Sequence, residues 1–82
     1  MRTSHALILR LLHDPQFEFE KVRIEYVNRG AKGDRSEIQG REIIDVGKFG
    51  LEVTSHVATI FIPYHRLRRI TYDGKVLWER ST

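Results

Sequence analysis

Between Ile62 and Thr71 the chain reads Pro-Tyr-His-Arg-Leu-Arg-Arg-Ile, a run of donors and cations with no carboxylate inside it. An arginine fork can hold a phosphate through two charge-assisted hydrogen bonds, and a histidine can add a further donor. Leu67 and Ile70 stand three apart, as do Arg66 and Arg69. That spacing suits a single tight turn opened by Pro63, with Leu67 and Ile70 inward and Arg66, Arg69 and His65 projecting together. Tyr64 offers a ring on which an unpaired base could stack, a contact worth ~1–3 kcal/mol. A phosphate, a ribose and a free base meet at the end of an RNA strand, so the segment points toward recognition of such an end. The competing reading pairs these arginines with Asp45, Glu52, Asp73 or Glu79 across a sheet, where exposed ion pairs contribute ~0–1 kcal/mol each.

His65 has three roles open to it: donor to phosphate, structural residue bonded to backbone, or acid–base catalyst. The last needs a second proton-transfer group. His56 could serve only if its strand folds back toward His65. His5, His13 and His56 match no zinc spacing and read as surface or helix-end residues. There is no cysteine, which excludes disulfides and thiolate chemistry. No metal, cofactor or catalytic residue is expected. A second candidate anion site is Arg29-Gly30-Ala31-Lys32-Gly33, whose amides and two cations could form a nest for phosphate. It lacks the P-loop pattern, so nucleotide hydrolysis is not indicated, and a plain hairpin loop fits it equally well.

The elements that must position these residues follow from periodicity. Thr3 or Ser4 can cap a helix whose apolar face carries Ile8, Leu11 and Leu12, and Pro15 ends it. Phe17 and Phe19 then anchor the connection to a sheet, or form a docking surface. Val22, Ile24 and Tyr26 alternate with Arg23 and Glu25 as a half-buried strand. Asn28 to about Gly40 reads as loop. Three strands follow, Arg41–Val46, Phe49–Val53 and Val57–Ile62, the last apolar on both faces and therefore central. Pro63, without an N–H, stops the ladder. Asp73-Gly74 between apolar runs marks a hairpin. Phe49, Phe61, Tyr26 and Trp78 read as core residues. The expected fold is α+β: an N-terminal helix packed on a twisted antiparallel sheet of about five strands, curled toward a small barrel.

The 82 residues suffice for one domain, 1–82, and carry a net charge of +3 from ten arginines and four lysines against eleven acids. That balance is too weak to identify a partner by itself. The apolar stretch Ala6–Leu9 breaks at Arg10, too early for a signal peptide, and nothing approaches a membrane span, so a cytoplasmic monomer or weak homodimer is expected.

With YVNRGAKGD and GREIIDVG, the block IPYHRLRRITYDGKVLWER closely resembles the RNA cyclic group end recognition domain, a family of small archaeal proteins with relatives inside larger eukaryotic ones. The resemblance runs from Met1-Arg2-Thr3 to Trp78-Glu79. The stretch between Phe49 and Ile62 is longer than the family pattern. The resemblance implies binding of RNA ends bearing a terminal or 2′,3′-cyclic phosphate, beside RNA-processing proteins, at His65, Arg66, Arg69, Tyr64, Arg29 and Gly30. Two alternatives remain: an RNA-end phosphoesterase or nuclease using His65, and a protein-interaction adaptor working through a sheet edge or Phe17 and Phe19.

Overall fold

The computed structural model describes residues 3–54 and 58–80. Helix α1 (Thr3–His13) seals one side of the core with Ile8 and Leu11. Leu12, expected on that face, is 42% exposed, and Ser4 is buried instead. The helix stops as expected: the Gln16 amide donates to the Asp14 side chain (2.9 Å) across Pro15. Phe17 then packs edge-on against Tyr72 (5.1 Å), and the Tyr72 hydroxyl accepts the Glu18 amide. Phe17 and Phe19 both lie against the core and anchor this connection.

Strand β1 (Val22–Val27) buries Val22, Ile24 and Tyr26 as its alternation requires. Part of the segment read as loop is strand β2 (Arg35–Gln39), fully paired with β1. It buries only Ile38 along its length, so it has no apolar alternation to reveal it. A 3-10 turn at Gly40–Glu42 follows, closed by reciprocal bonds between Gln39 and Glu42. Next come β3 (Ile43–Val46), β4 (Gly50–Thr54) and β5 (Thr59–Pro63). A further 3-10 turn at Tyr64–Arg66 leads into β6 (Leu67–Tyr72), joined to β7 (Lys75–Glu79) at Asp73-Gly74. Both turn residues have positive φ, 50° and 85°, as a two-residue hairpin demands.

The fold is α+β, but its strands form two antiparallel sheets, ordered β2-β1-β6-β7 and β3-β4-β5, and among the described residues they do not close into a barrel. The described residues form seven strands where about five were expected, and β2, being polar, is the one that falls in the segment expected to be loop. The sheets separate at Pro63, where the chain leaves β5 and crosses to β6. The strand expected to be central, β5, is an edge: Thr59, Ile60 and Phe61 are exposed, and only Ile62 is buried within it. Leu51, Val53, Ile62, Ile24, Leu67 and Ile70 from both sheets meet α1 in one apolar cluster. Among the described residues, no helix is long and apolar enough to cross a membrane.

Candidate nucleic-acid interface

The crossover between the sheets shapes the site. Pro63 takes φ −62° and ψ 149°, and the Leu67 amide closes the 3-10 turn on the Tyr64 carbonyl. Tyr64 points inward and is 3% exposed. Its ring stacks on His5 at 4.5 Å, its hydroxyl donates to the Gly47 carbonyl (2.5 Å), and its amide donates to the Phe49 carbonyl (3.3 Å). Burial, with the charge of Asp45 second, pushes the phenol up to about 12, so the hydroxyl stays a donor. At 3% exposure, and with its ring stacked on His5, Tyr64 leaves little ring surface for a base. It pegs the Gly47–Phe49 turn to the crossover. Arg80 holds the other side, donating from Nε to the Leu67 carbonyl (3.0 Å) and from Nη2 to the Tyr64 carbonyl (3.2 Å).

With Tyr64 and Leu67 directed inward, His65 and Arg66 are left exposed. They line a groove of about 470 Å³ together with Val27, Asn28 and Arg29. Among the described residues, no carboxylate belongs to this lining. Among the described residues, the Arg29 and Arg66 side chains have no hydrogen-bonding or ion-pair partner. Asn28 is fixed by its side-chain bond to Ser36 (2.8 Å) and its amide bond to the Asp34 carbonyl (2.8 Å), so Arg29 starts from a braced strand end.

Arg69 lies apart from this groove. On β6 the register against β1 slips, with Glu25 opposite Arg69 and Tyr26 opposite Leu67, so Arg68 is an inserted bulge residue. The bulge lets Leu67 and Ile70 both face the core although they are three apart. It also turns Arg69 onto the outer sheet face. There its guanidinium bonds Glu79 (2.7 Å) and approaches Glu25 (3.8 Å), the Glu79 hydrogen bond being the main cause of its raised pKa. Gly30 also falls outside the lining. Its amide faces the Asp34 carboxylate at 3.4 Å, so the expected nest already contains an anion from its own chain.

The core reading of Phe49 and Phe61 is overturned: they are 74% and 53% exposed. With His5, Lys48, Pro63, Tyr64 and His65 they line a second groove, of about 550 Å³. Strict alternation was the available signal, since it sets Phe61 opposite Glu52 on the outward face. His5 is half-buried against Tyr64 rather than on the surface. His56 lies outside the described residues. Among the described residues, no three histidines or carboxylates gather in a way that could hold a metal ion.

Residues 1–80 match the MJ1316 RNA cyclic group end recognition domain. A UPF0248 protein of Archaeoglobus fulgidus is 41% identical over 66 residues, covering 80% of this chain and 88% of the relative. One from Methanopyrus kandleri is 37% identical over 71 residues, 87% of this chain and 90% of its own. One from Thermococcus onnurineus is 36% identical over 74 residues, 89% and 79% respectively. No solved structure matches the chain. A domain match over almost the whole length, supported by relatives covered nearly end to end, places the chain in the MJ1316 RNA cyclic group end recognition domain family.

Proposed function

We propose that this domain is an RNA-binding module that holds a terminal phosphate, linear or 2′,3′-cyclic, between Arg29, His65 and Arg66. The observation that carries this reading is that two unpaired guanidinium groups and an imidazole, from strand β1's end and from the crossover turn, line one groove without a carboxylate. Two forks and a ring N–H supply the donors that a doubly ligated phosphate can accept. The family's name accords with it. Tyr64 serves by positioning the turn. Arg69 and Gly30 contribute to the charge and shape of the surroundings rather than to direct contact. The role is recognition, not catalysis, carried out in the cytoplasm alongside RNA-processing proteins.

Fluorescence anisotropy with labelled octanucleotides tests this. Oligonucleotides ending in a 2′,3′-cyclic or linear phosphate should bind more tightly than one ending in hydroxyls; equal binding refutes end recognition. For single strands, log affinity falls with log salt at about −0.7 per phosphate contact. Arg29→Ala and Arg66→Ala should each make that slope shallower, and Arg69→Ala should cost less affinity than either. Unchanged slopes in the first two variants would remove the groove from the interface.

A further inference from the structure

We infer that the groove between Phe49 and Phe61 is a base-stacking subsite that receives the unpaired base of the RNA's terminal nucleotide. The inference rests on the phosphate reading above and extends it to a second, chemically different contact. Its first support is continuity: His65 lines both the phosphate groove and the aromatic groove, so one nucleotide can lay its phosphate on one side of the imidazole and its base on the other. Its second is charge. Lys48, His5 and His65 border the aromatic groove, and no carboxylate is among its lining residues. A phosphorylated strand suits a rim that carries Lys48, whereas an aromatic groove bordered by a lysine and two polar imidazoles is poorly matched to a purely apolar partner.

The rings are held out by structure, not left out by chance. Phe49 sits at the tip of the turn that Tyr64 pegs by its hydroxyl and amide. Lys48 lies 5.6 Å from its ring centroid. Phe61 projects from edge strand β5 over Gly50, where a Cβ would come within 2.7 Å of its Cζ and 2.4 Å of the Ile62 carbonyl oxygen. Gly50 therefore leaves room for the Phe61 ring to lie along the sheet with a face open to solvent. Stacking on an aromatic ring is tolerant of sequence, so this subsite selects for an unpaired base rather than for a particular one.

The test compares octanucleotides bearing a 3′-phosphate, with either adenosine or an abasic ribose at the last position. Losing a stacked base is worth ~1–3 kcal/mol, or roughly 5- to 150-fold in affinity. The native chain should show that ratio between the two ligands. Phe49→Ala and Phe61→Ala should collapse the ratio toward one while leaving the salt slope intact. If Phe61→Ala unfolds, Phe61→Leu retains the apolar bulk without the π face and should show the same collapse. A native ratio preserved in these variants overturns the subsite. Dimers in sedimentation that Phe49→Ala dissociates would also overturn it, reassigning the groove to self-association. Failure of the phosphate reading is separable: phosphate- and hydroxyl-ended strands would then bind alike, while the adenosine preference and its dependence on Phe49 persist.

Discussion

Alkali should destabilise this domain through Tyr64. The hydroxyl donates to the Gly47 carbonyl, and its pKa rises from 10.0 to about 12, chiefly because the side chain is buried. Below pH 10 the phenol is protonated in folded and unfolded chains alike, and the full contribution of the buried hydroxyl is present. Between pH 10 and 12 the unfolded chain releases this proton while the folded chain keeps it, so stability falls as pH rises. At 1.36 kcal/mol per pKa unit, the loss is roughly 1 kcal/mol by pH 11 and roughly 2 kcal/mol by pH 12. Tyr64→Phe has no proton to lose. At pH 7 it should cost about 1 kcal/mol for the missing hydrogen bond, a fall of about 4–8 °C in Tm for a domain of this size. The stabilities of the two proteins should therefore converge near pH 11. Urea unfolding followed by circular dichroism from pH 8 to 12 measures the difference directly. The raised Lys21 also titrates in the alkaline range, through its bond and charge interaction with Glu18, but it is present in both proteins and cancels. A difference that stays constant across this range would refute the argument, because it would mean that the hydroxyl is neither buried nor bonded as described.

Two further substitutions test the scaffold around the site. Gly40→Ala should lower Tm by roughly 4–24 °C, since its Cβ would fall 1.9 Å from the Phe19 backbone oxygen, and overpacking against a fixed backbone costs ~1–3 kcal/mol; thermal unfolding near the native Tm would show that the Gly40–Glu42 turn can move away from Phe19. Arg80→Ala should cost ~1–3 kcal/mol in urea unfolding, because it removes two charged donors from the Tyr64 and Leu67 carbonyls, and Arg80→Lys should not restore it, lacking the fork that reaches both.

What was legible in the sequence was whatever rested on periodicity or on backbone chemistry. The alternation of β1, the break at Pro15, the turn opened by Pro63 and the hairpin at Asp73-Gly74 all follow from such rules. Strand β2 escaped because a strand that buries one residue in five carries almost no pattern, and its existence depends on a partner strand. Its pairing with β1 also explains why Asn28, just before Arg29, is braced. The pairing of Arg66 with Arg69 failed for a different reason. A three-residue spacing suits one turn, whereas the structure uses a turn followed by a bulge, and the bulge sends Arg69 away. Tyr64 and the two phenylalanines exchange roles: the aromatic beside the cations is buried, and those read as core are open. Burial of an aromatic in a short chain depends on which sheet covers it, and no local pattern reveals that two sheets, not one, enclose this core.

The arginines divide according to where carboxylates can reach them. On the outer face of the four-stranded sheet, Arg23 meets Glu37 at 3.5 Å, Arg35 meets Glu25 at 3.1 Å, and Arg69 meets Glu79 at 2.7 Å. Cross-strand register sets these meetings, since residues of like parity on neighbouring strands share a face. That face is a lattice of opposite charges with little net field to attract an RNA. Arg29 and Arg66 escape it because neither lies in a strand: one follows the end of β1, the other occupies the crossover turn. Outside the ladder, no register brings an acid opposite them. The modest net charge of +3 is thus a poor guide to where an anion would bind. The two irregular segments are what keep cations unpaired, and they converge because the β1–β6 pairing places the end of one beside the start of the other. An acid introduced into either segment, rather than a change of total charge elsewhere, is the perturbation to which phosphate binding should be most sensitive.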